Sequence, residues 1–162
     1  MKDLFGQALL DFQKGAFTED IMTSTNISDD DTLPISYLFR NFKEMPKLEQ
    51  KALKLAKGHV LDVGCGAGSH SLYLQEKGFQ LKSIDISEGA IEVCKLRGVK
   101  NAEVKNILDE TETYDTILLL IIFTGIFRIS HFLALFFLSS DSSHYFIALC
   151  QFVHPNSHFL SL

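Results

Sequence analysis

Apolar side chains recur at helical spacing in the first part of the chain. Leu4, Phe5, Ala8, Leu9 and Phe12 fall on one face of a helix over residues 3–14 that ends near Gly15. Residues 23–34 are polar and read as a loop. Its run Asp29-Asp30-Asp31 is a solvated loop or a helix cap, since consecutive carboxylates do not converge easily on one metal ion. Residues 34–42 are rich in aromatics. Pro46 suits the first position of a second helix that reaches about Lys57, with Leu48, Ala52, Leu55 and Ala56 as its buried stripe and Gly58 as its stop.

From His59 the pattern becomes an alternation of strand and helix. Residues 59–63 form a short β-rich run, and 69–77 a helix closed by Gly78. A strand over 79–86 precedes a helix capped by Ser87 and closed by Gly98. Strands over 102–107 and 116–122 follow, the last apolar throughout, as a central strand buried on both faces must be. Strands separated by single helices imply right-handed crossovers and a parallel sheet.

The fold class is therefore α/β: a Rossmann-like parallel sheet with an N-terminal helical cap and an incomplete set of C-terminal strands. Three segments follow, a cap over 1–57, a core over 58–120 and an atypical hydrophobic tail over 121–162.

Composition adds a boundary at residue 120. Beyond it the only charged side chains other than histidine are Arg128 and Asp141, while eight of the fourteen Phe and four of the six His lie there. Three readings compete for this tail. It is a truncated or altered end, a membrane segment over 117–138, or an unusual completion of the sheet. No fifth-strand pattern is legible in it. Arg128 opposes the membrane reading, at about 2.5–3.5 kcal/mol on insertion scales. A zinc site from His144, Cys150, His154 and His158 is disfavoured, because Pro155 interrupts the helix that would pair the two last histidines.

The whole chain of 162 residues carries a net charge of −5 and 46% apolar residues, enough for one domain with a real core. That balance argues against nucleic acid held by charge. Cys65, Cys94 and Cys150 are too scattered for a disulfide framework and suit a reducing, cytoplasmic setting. The first residues lack the pattern of a signal peptide.

The candidate chemistry lies in Val60-Leu61-Asp62-Val63-Gly64-Cys65-Gly66-Ala67-Gly68-Ser69. A strand runs into glycines at every second position and then into a helix. Glycine admits positive φ and lets a ligand approach where a Cβ would collide, and a helix N-terminus carries unpaired N–H groups. A dinucleotide fingerprint needs G-x-G-x-x-G, and here the third glycine comes one residue early, which disfavours NAD and FAD; the phosphate-loop pattern is absent. Asp85 ends the next strand, twenty-one residues after Gly64. At that place an acidic residue accepts hydrogen bonds from ribose hydroxyls, although an Asp before Ser87 also suits a helix cap.

Residues 61–68 resemble the first motif of the class I S-adenosylmethionine-dependent methyltransferases. Ile84-Asp85-Ile86-Ser87 resembles their second motif, and Tyr114-Asp115-Thr116-Ile117-Leu118-Leu119 their fourth strand. The resemblance implies that Gly64, Gly66, Gly68 and the Cys65 backbone line the methionine part of S-adenosyl-L-methionine. It implies that Asp62 orients the loop and the cofactor's amino group. Asp85 would hold both ribose hydroxyls and Ile86 would pack on the adenine. Asn106, with Ile107 beside it, would meet the adenine amino group; Asp109 is the alternative.

In the cap, Arg40 either meets the cofactor carboxylate or lies on the surface, while Tyr37 and Phe39 fill the cap's own core. His70 is expected in a first helical turn without a chemical task. The implied reaction is direct methyl transfer to a small-molecule or unknown acceptor, with no metal and no nameable base. The rival readings are a non-catalytic fragment that retains cofactor binding and an enzyme of another nucleoside cofactor.

Overall fold

A computed structural model of the chain describes residues 2–16, 19–23, 31–120 and 145–148. Its centre is a parallel sheet in the order β5-β4-β3-β6-β7. The strands are β3 (His59–Val63), β4 (Gln80–Asp85), β5 (Ala102–Val104), β6 (Thr116–Leu119) and β7 (Tyr145–Ala148). A separate antiparallel pair joins β1 (Ile21–Thr23) to β2 (Asp31–Leu33). Helix α1 (Leu4–Gln13), the short α2 (Ile35–Leu38) and α3 (Lys47–Leu55) precede the sheet, and α4 (Ser69–Glu76) and α5 (Glu88–Leu96) cross between its strands.

The sheet is buried on both faces because β3 and β6 alternate two apolar sets. Leu61 and Val63 join Ile84, Ile107, Tyr114, Ile117 and Leu119 on one face. Val60, Leu118 and Leu120 point the other way and pack with Leu74 of α4 and with Ala52, Leu53 and Ala56 at the end of the cap. Such burial contributes about 1.5–3 kcal/mol for each large side chain. Thr116 closes the start of the central pair: its hydroxyl donates to the Lys57 carbonyl and accepts from the Lys57 N–H, each at 2.9 Å.

The core strands and helices fall within a residue or two of the pattern in the sequence, while four features differ. In α1 the buried residues are Gly6, Leu9 and Leu10, and Leu4 is 67% exposed. The helix touches α5 at Gly6, so the side carrying positions 6, 9 and 10 turns inward. In α3 the inner stripe is Glu49, Ala52, Leu53 and Ala56, not Leu48 and Leu55, which are exposed. Strand β5 stops at Val104, and Ile107–Asp109 form a 3-10 turn instead. Asp31 lies in β2 rather than in a loop.

The tail also contributes a strand that no pattern announced. Tyr145–Ala148 pairs in parallel with Thr116–Leu119 in one-to-one register. The polar run Ser139-Ser140-Asp141-Ser142-Ser143-His144 precedes it, but four apolar residues carry no period that separates strand from helix, so pairing with the edge of β6 selects it. The membrane reading of 117–138 loses residues 117–119 to the sheet. No helix among the described residues is long and apolar enough to cross a membrane. Otherwise that segment, and with it His144, Cys150, His154 and His158, lies outside the described residues.

Helices α1 and α5 approach backbone to backbone. A Cβ built on Gly89 would sit 2.5 Å from the Gly6 carbonyl carbon. Replacing Gly89 with Ala is expected to destabilise the fold by about 1–3 kcal/mol, the range for an overpacked contact. Denaturant unfolding should show a lower midpoint at unchanged slope.

Candidate functional site

Along the sheet, chain order runs outward from β3 to β4 and β5, then returns to β6 on the other side of β3. The carboxyl ends of β3 and β6 therefore flank a topological switch point. In open α/β sheets ligands bind in the crevice that forms there. The glycine segment leaves β3 at this place.

The bend needs its glycines. Gly64, Gly66 and Gly68 hold φ of +68°, +53° and +79°, a region costly for residues with a Cβ. Their roles differ beyond that. Gly64 is exposed and a Cβ on Gly66 would meet nothing within 4 Å, so these two face open space. Gly68 is buried, and a Cβ there would lie 2.9 Å from Cys94 Sγ and from Val99. The third glycine thus admits the end of α5 against the start of α4.

The N–H groups of the bend are already engaged. Those of Gly64 and Cys65 donate to the Ile84 carbonyl at 2.8 and 3.2 Å. That of Gly66 donates to Asp85 Oδ2 at 2.9 Å. The Cys65 side chain is buried, with its sulfur 3.7 Å from that of Cys94. Between Gly64 and Gly66 the loop thus offers room rather than donors.

Asp85 turns its carboxylate into the bend. Oδ2 accepts from Gly66 and Oδ1 from the Ser87 N–H at 3.0 Å. Burial pushes its carboxyl above the ordinary range, against the pull of the backbone N–H groups of Ser87, Gly66 and Ile86. A half-buried carboxylate held against its solvation beside a crevice is the kind of group that marks a functional site. The next residue, Ile86, is a large apolar side chain left 68% exposed.

Asp62 sits deeper, beneath the bend. Its Oδ2 accepts from Ser71 Oγ at 2.5 Å, and Ser71 in turn accepts from Ser83 Oγ at 2.8 Å. Burial raises its pKa, while the charge of His70 and the Ser71 hydroxyl lower it. Asn106 is exposed and caps the 3-10 turn, its Oδ1 accepting from the Leu108 N–H at 3.0 Å. Ile107 is different: its side chain belongs to the sheet core, so it presents no surface beside Asn106. The turn buries Ile107 and Glu110 and leaves Leu108 and Asp109 exposed, which decides this. Asp109 is exposed at the end of the same turn.

In the cap, Arg40 is only 8% exposed, which corrects its placement on the surface. Its NH2 group pairs with Glu49 Oε2, its NH1 donates to the Tyr37 carbonyl, and its Nε is buried without a hydrogen-bond partner among the described residues. His70 Nε2 lies 2.9 Å from the same Glu49 oxygen. The first turn of α4 is therefore tied to α3 through one carboxylate. Because Glu49 already balances the guanidinium, the arrangement favours a joint between cap and core over a free carboxylate receptor.

Two more residues that the sequence did not single out complete the joint. Ser69 Oγ donates to the Leu38 carbonyl at 2.7 Å, and Arg97 reaches the carbonyls of Ala67 and Phe39. The stripe at 49, 52, 53 and 56 was a usable signal for Glu49, since it follows the i, i+3, i+4, i+7 spacing. Nothing local pointed to Arg97.

Residues 60–134 match the methyltransferase-domain family. The chain is similar to the crystal structure of an S-adenosylmethionine-dependent methyltransferase from Bacteroides fragilis in complex with S-adenosyl-L-homocysteine. That likeness has a TM-score of 0.75 and 43% identity, over 83% of this chain and 57% of that one. It is 32% identical over 80 residues to the tRNA (uracil(54)-C(5))-methyltransferase of Pyrococcus abyssi, covering 49% of this chain and 19% of that protein. To the 23S rRNA (uracil(747)-C(5))-methyltransferase of the same organism it is 33% identical, covering 46% of this chain and 17% of that protein. The chain thus spans under a fifth of the length of these curated relatives.

Glu49 sets a pH dependence. Burial alone would raise its pKa, but the hydrogen bond and charge of His70 together with Arg40 outweigh it and hold the carboxyl below its ordinary 4.5. Its contribution is complete above pH 4.5 and is lost as pH falls through the lower folded value. The Glu49→Gln variant should therefore lose stability at neutral pH and show a flatter decline below pH 4.5 in urea titrations. Identical pH profiles for the two proteins would remove the pair from the account. Glu49→Ala is expected to cost about 3–5 kcal/mol, as for any buried pair broken on one side.

Proposed function

We propose that this chain is a class I S-adenosylmethionine-dependent methyltransferase, which binds S-adenosyl-L-methionine at the switch point and transfers its methyl group to an acceptor. The observation that carries this reading is the Asp85 carboxylate, turned into the glycine bend and bonded to the Gly66 N–H at 2.9 Å. Its oxygens accept the N–H groups of Gly66 and Ser87, and lone pairs remain on them. Two adjacent hydroxyls of a ribose match that remaining capacity. Open space over Gly66 supports close approach of the ligand, where any larger residue would put a Cβ. Ile86 supplies an apolar surface next to Asp85, suited to the face of an adenine ring. Asn106 stands one turn beyond β5 with its amide at the surface.

In this reading the roles of the predicted residues separate. Asp85, Ile86, Gly64, Gly66 and Asn106 face the ligand. Asp62, Cys65 and Gly68 act from behind, by holding the bend in shape. Ile107 acts only through the core. When bound, the cofactor supplies a methyl group already activated on a sulfonium. The chain then has to hold, align and exclude water rather than attack. The cap over 1–57 covers the core over 58–120, and the acceptor is met by residues that follow β6.

The acceptor is a small molecule or another methyl-accepting group. The two RNA-modifying relatives align over fewer than half of this chain's residues, so they speak to cofactor binding more than to RNA. The free thiols of Cys65 and Cys94 support a reducing, cytoplasmic setting.

Calorimetry with S-adenosyl-L-homocysteine and with NAD should show binding of the first alone. Asp85→Ala should weaken that binding at least tenfold, about 1.4 kcal/mol. Equal affinity in the variant would remove Asp85 from the site. A labelled-methyl transfer screen over small molecules, protein and RNA then separates an enzyme from a binding-only fragment: cofactor binding without any transfer favours the fragment.

A further inference from the structure

The cofactor reading assigns no task to the first turn of the chain, yet Asp3 makes three hydrogen bonds there. Its Oδ1 accepts from the Gly6 N–H at 2.8 Å, which caps α1. Its Oδ2 accepts from Ser87 Oγ at 2.8 Å and from the Gly89 N–H at 3.0 Å. One carboxylate therefore caps its own helix and grips the first turn of a second helix 84 residues away. Ser87 in turn accepts from the Ala90 N–H at 3.0 Å as the N-cap of α5.

The chain of contacts continues into the site. The Ser87 N–H donates to Asp85 Oδ1, and Asp85 Oδ2 accepts from the Gly66 N–H. Asp3, Ser87, Asp85 and Gly66 form one continuous hydrogen-bonded line from the N-terminal cap to the glycine bend. A cap role alone explains the Gly6 bond but not the two bonds to α5. The crossing of Gly6 and Gly89 admits no Cβ, so the first turn of α1, which Asp3 caps, lies close against the first turn of α5. The bonds from Gly89, Gly6 and Ser87 keep Asp3 ionised, below the ordinary carboxyl value although its partial burial works against them.

We infer that Asp3 is a positioning residue for the cofactor's ribose: by holding Ser87 it sets the orientation in which Asp85 presents its carboxylate. This rests on the function proposed above. It extends the site to the cap, so that the cap's docking and the ribose grip become one event.

The test compares S-adenosyl-L-homocysteine with its 2′-deoxy analogue on the full chain by calorimetry. The Asp3→Asn variant keeps an oxygen for Gly6 and turns an amide toward Gly89. It should reduce the wild-type preference for the hydroxylated ligand by about three- to tenfold, the scale of one ordinary net hydrogen bond. A merely structural role would weaken both ligands equally and leave their ratio unchanged, and that result overturns the inference. If Asp3→Asn does not fold, Ser87→Ala is read in the same ratio with the same two outcomes. Failure of the wild-type chain to bind S-adenosyl-L-homocysteine would instead sink the functional reading itself.

Discussion

The carboxyl end of β4 builds the loop that leaves β3. Ile84 offers one carbonyl to two successive N–H groups of the bend, and Asp85 takes the third. These bonds exist only because β3 and β4 pair in parallel with Val63 opposite Ile84. A slip of one residue would turn Asp85 to the other face. Positive φ at Gly64, Gly66 and Gly68 then allows the backbone to reverse without a collision and to deliver Ser69 to the start of α4. The helix, the cap contacts made by Ser69 and His70, and the open space over Gly66 all follow from that register.

The cap is fastened to this bend by polar contacts rather than by apolar burial alone. Arg97 and Ser69 hold the backbone of residues 38 and 39, while Glu49 joins Arg40 to His70. Buried charges of this kind are not a strong source of net stability, since desolvation offsets much of their attraction. Their directionality is the more useful property here. An apolar face of α1 or α3 tolerates sliding, whereas a carboxylate shared by an arginine and a histidine defines one docked position. Asp3 performs the same service at the opposite side of the bend, where it joins α1 to α5.

Much of this was legible in residues taken one after another. Alternating strand and helix, closed by Gly78 and Gly98, located the core elements because period and punctuation are local properties. The spacing of the glycines and the place of Asp85 pointed to the crevice for the same reason. The inner face of α3 differs from its apolar stripe, because Glu49 is buried by its partners Arg40 and His70, which lie on other segments. The strand at 145–148 is not legible, since four apolar residues after the polar run 139–144 fit strand and helix equally and the edge of β6 decides between them. Ile107 looked like a neighbour of Asn106 because adjacency along a chain says nothing about which side of a turn is buried.

The sequence by itself determined the order of elements, the position of the bend and the residue types able to meet a nucleoside, all of which depend on neighbours within a few residues. Only the tertiary structure decided which of these groups remain available. It spent the N–H groups of Gly64 and Cys65 on Ile84, sent Ile107 to the core, withdrew Arg40 from the surface and gave Asp3 a partner in α5. The physical reason is that hydrogen-bond satisfaction and burial are settled between segments far apart in the chain. The periodicity of one segment carries no record of what another will bring to it.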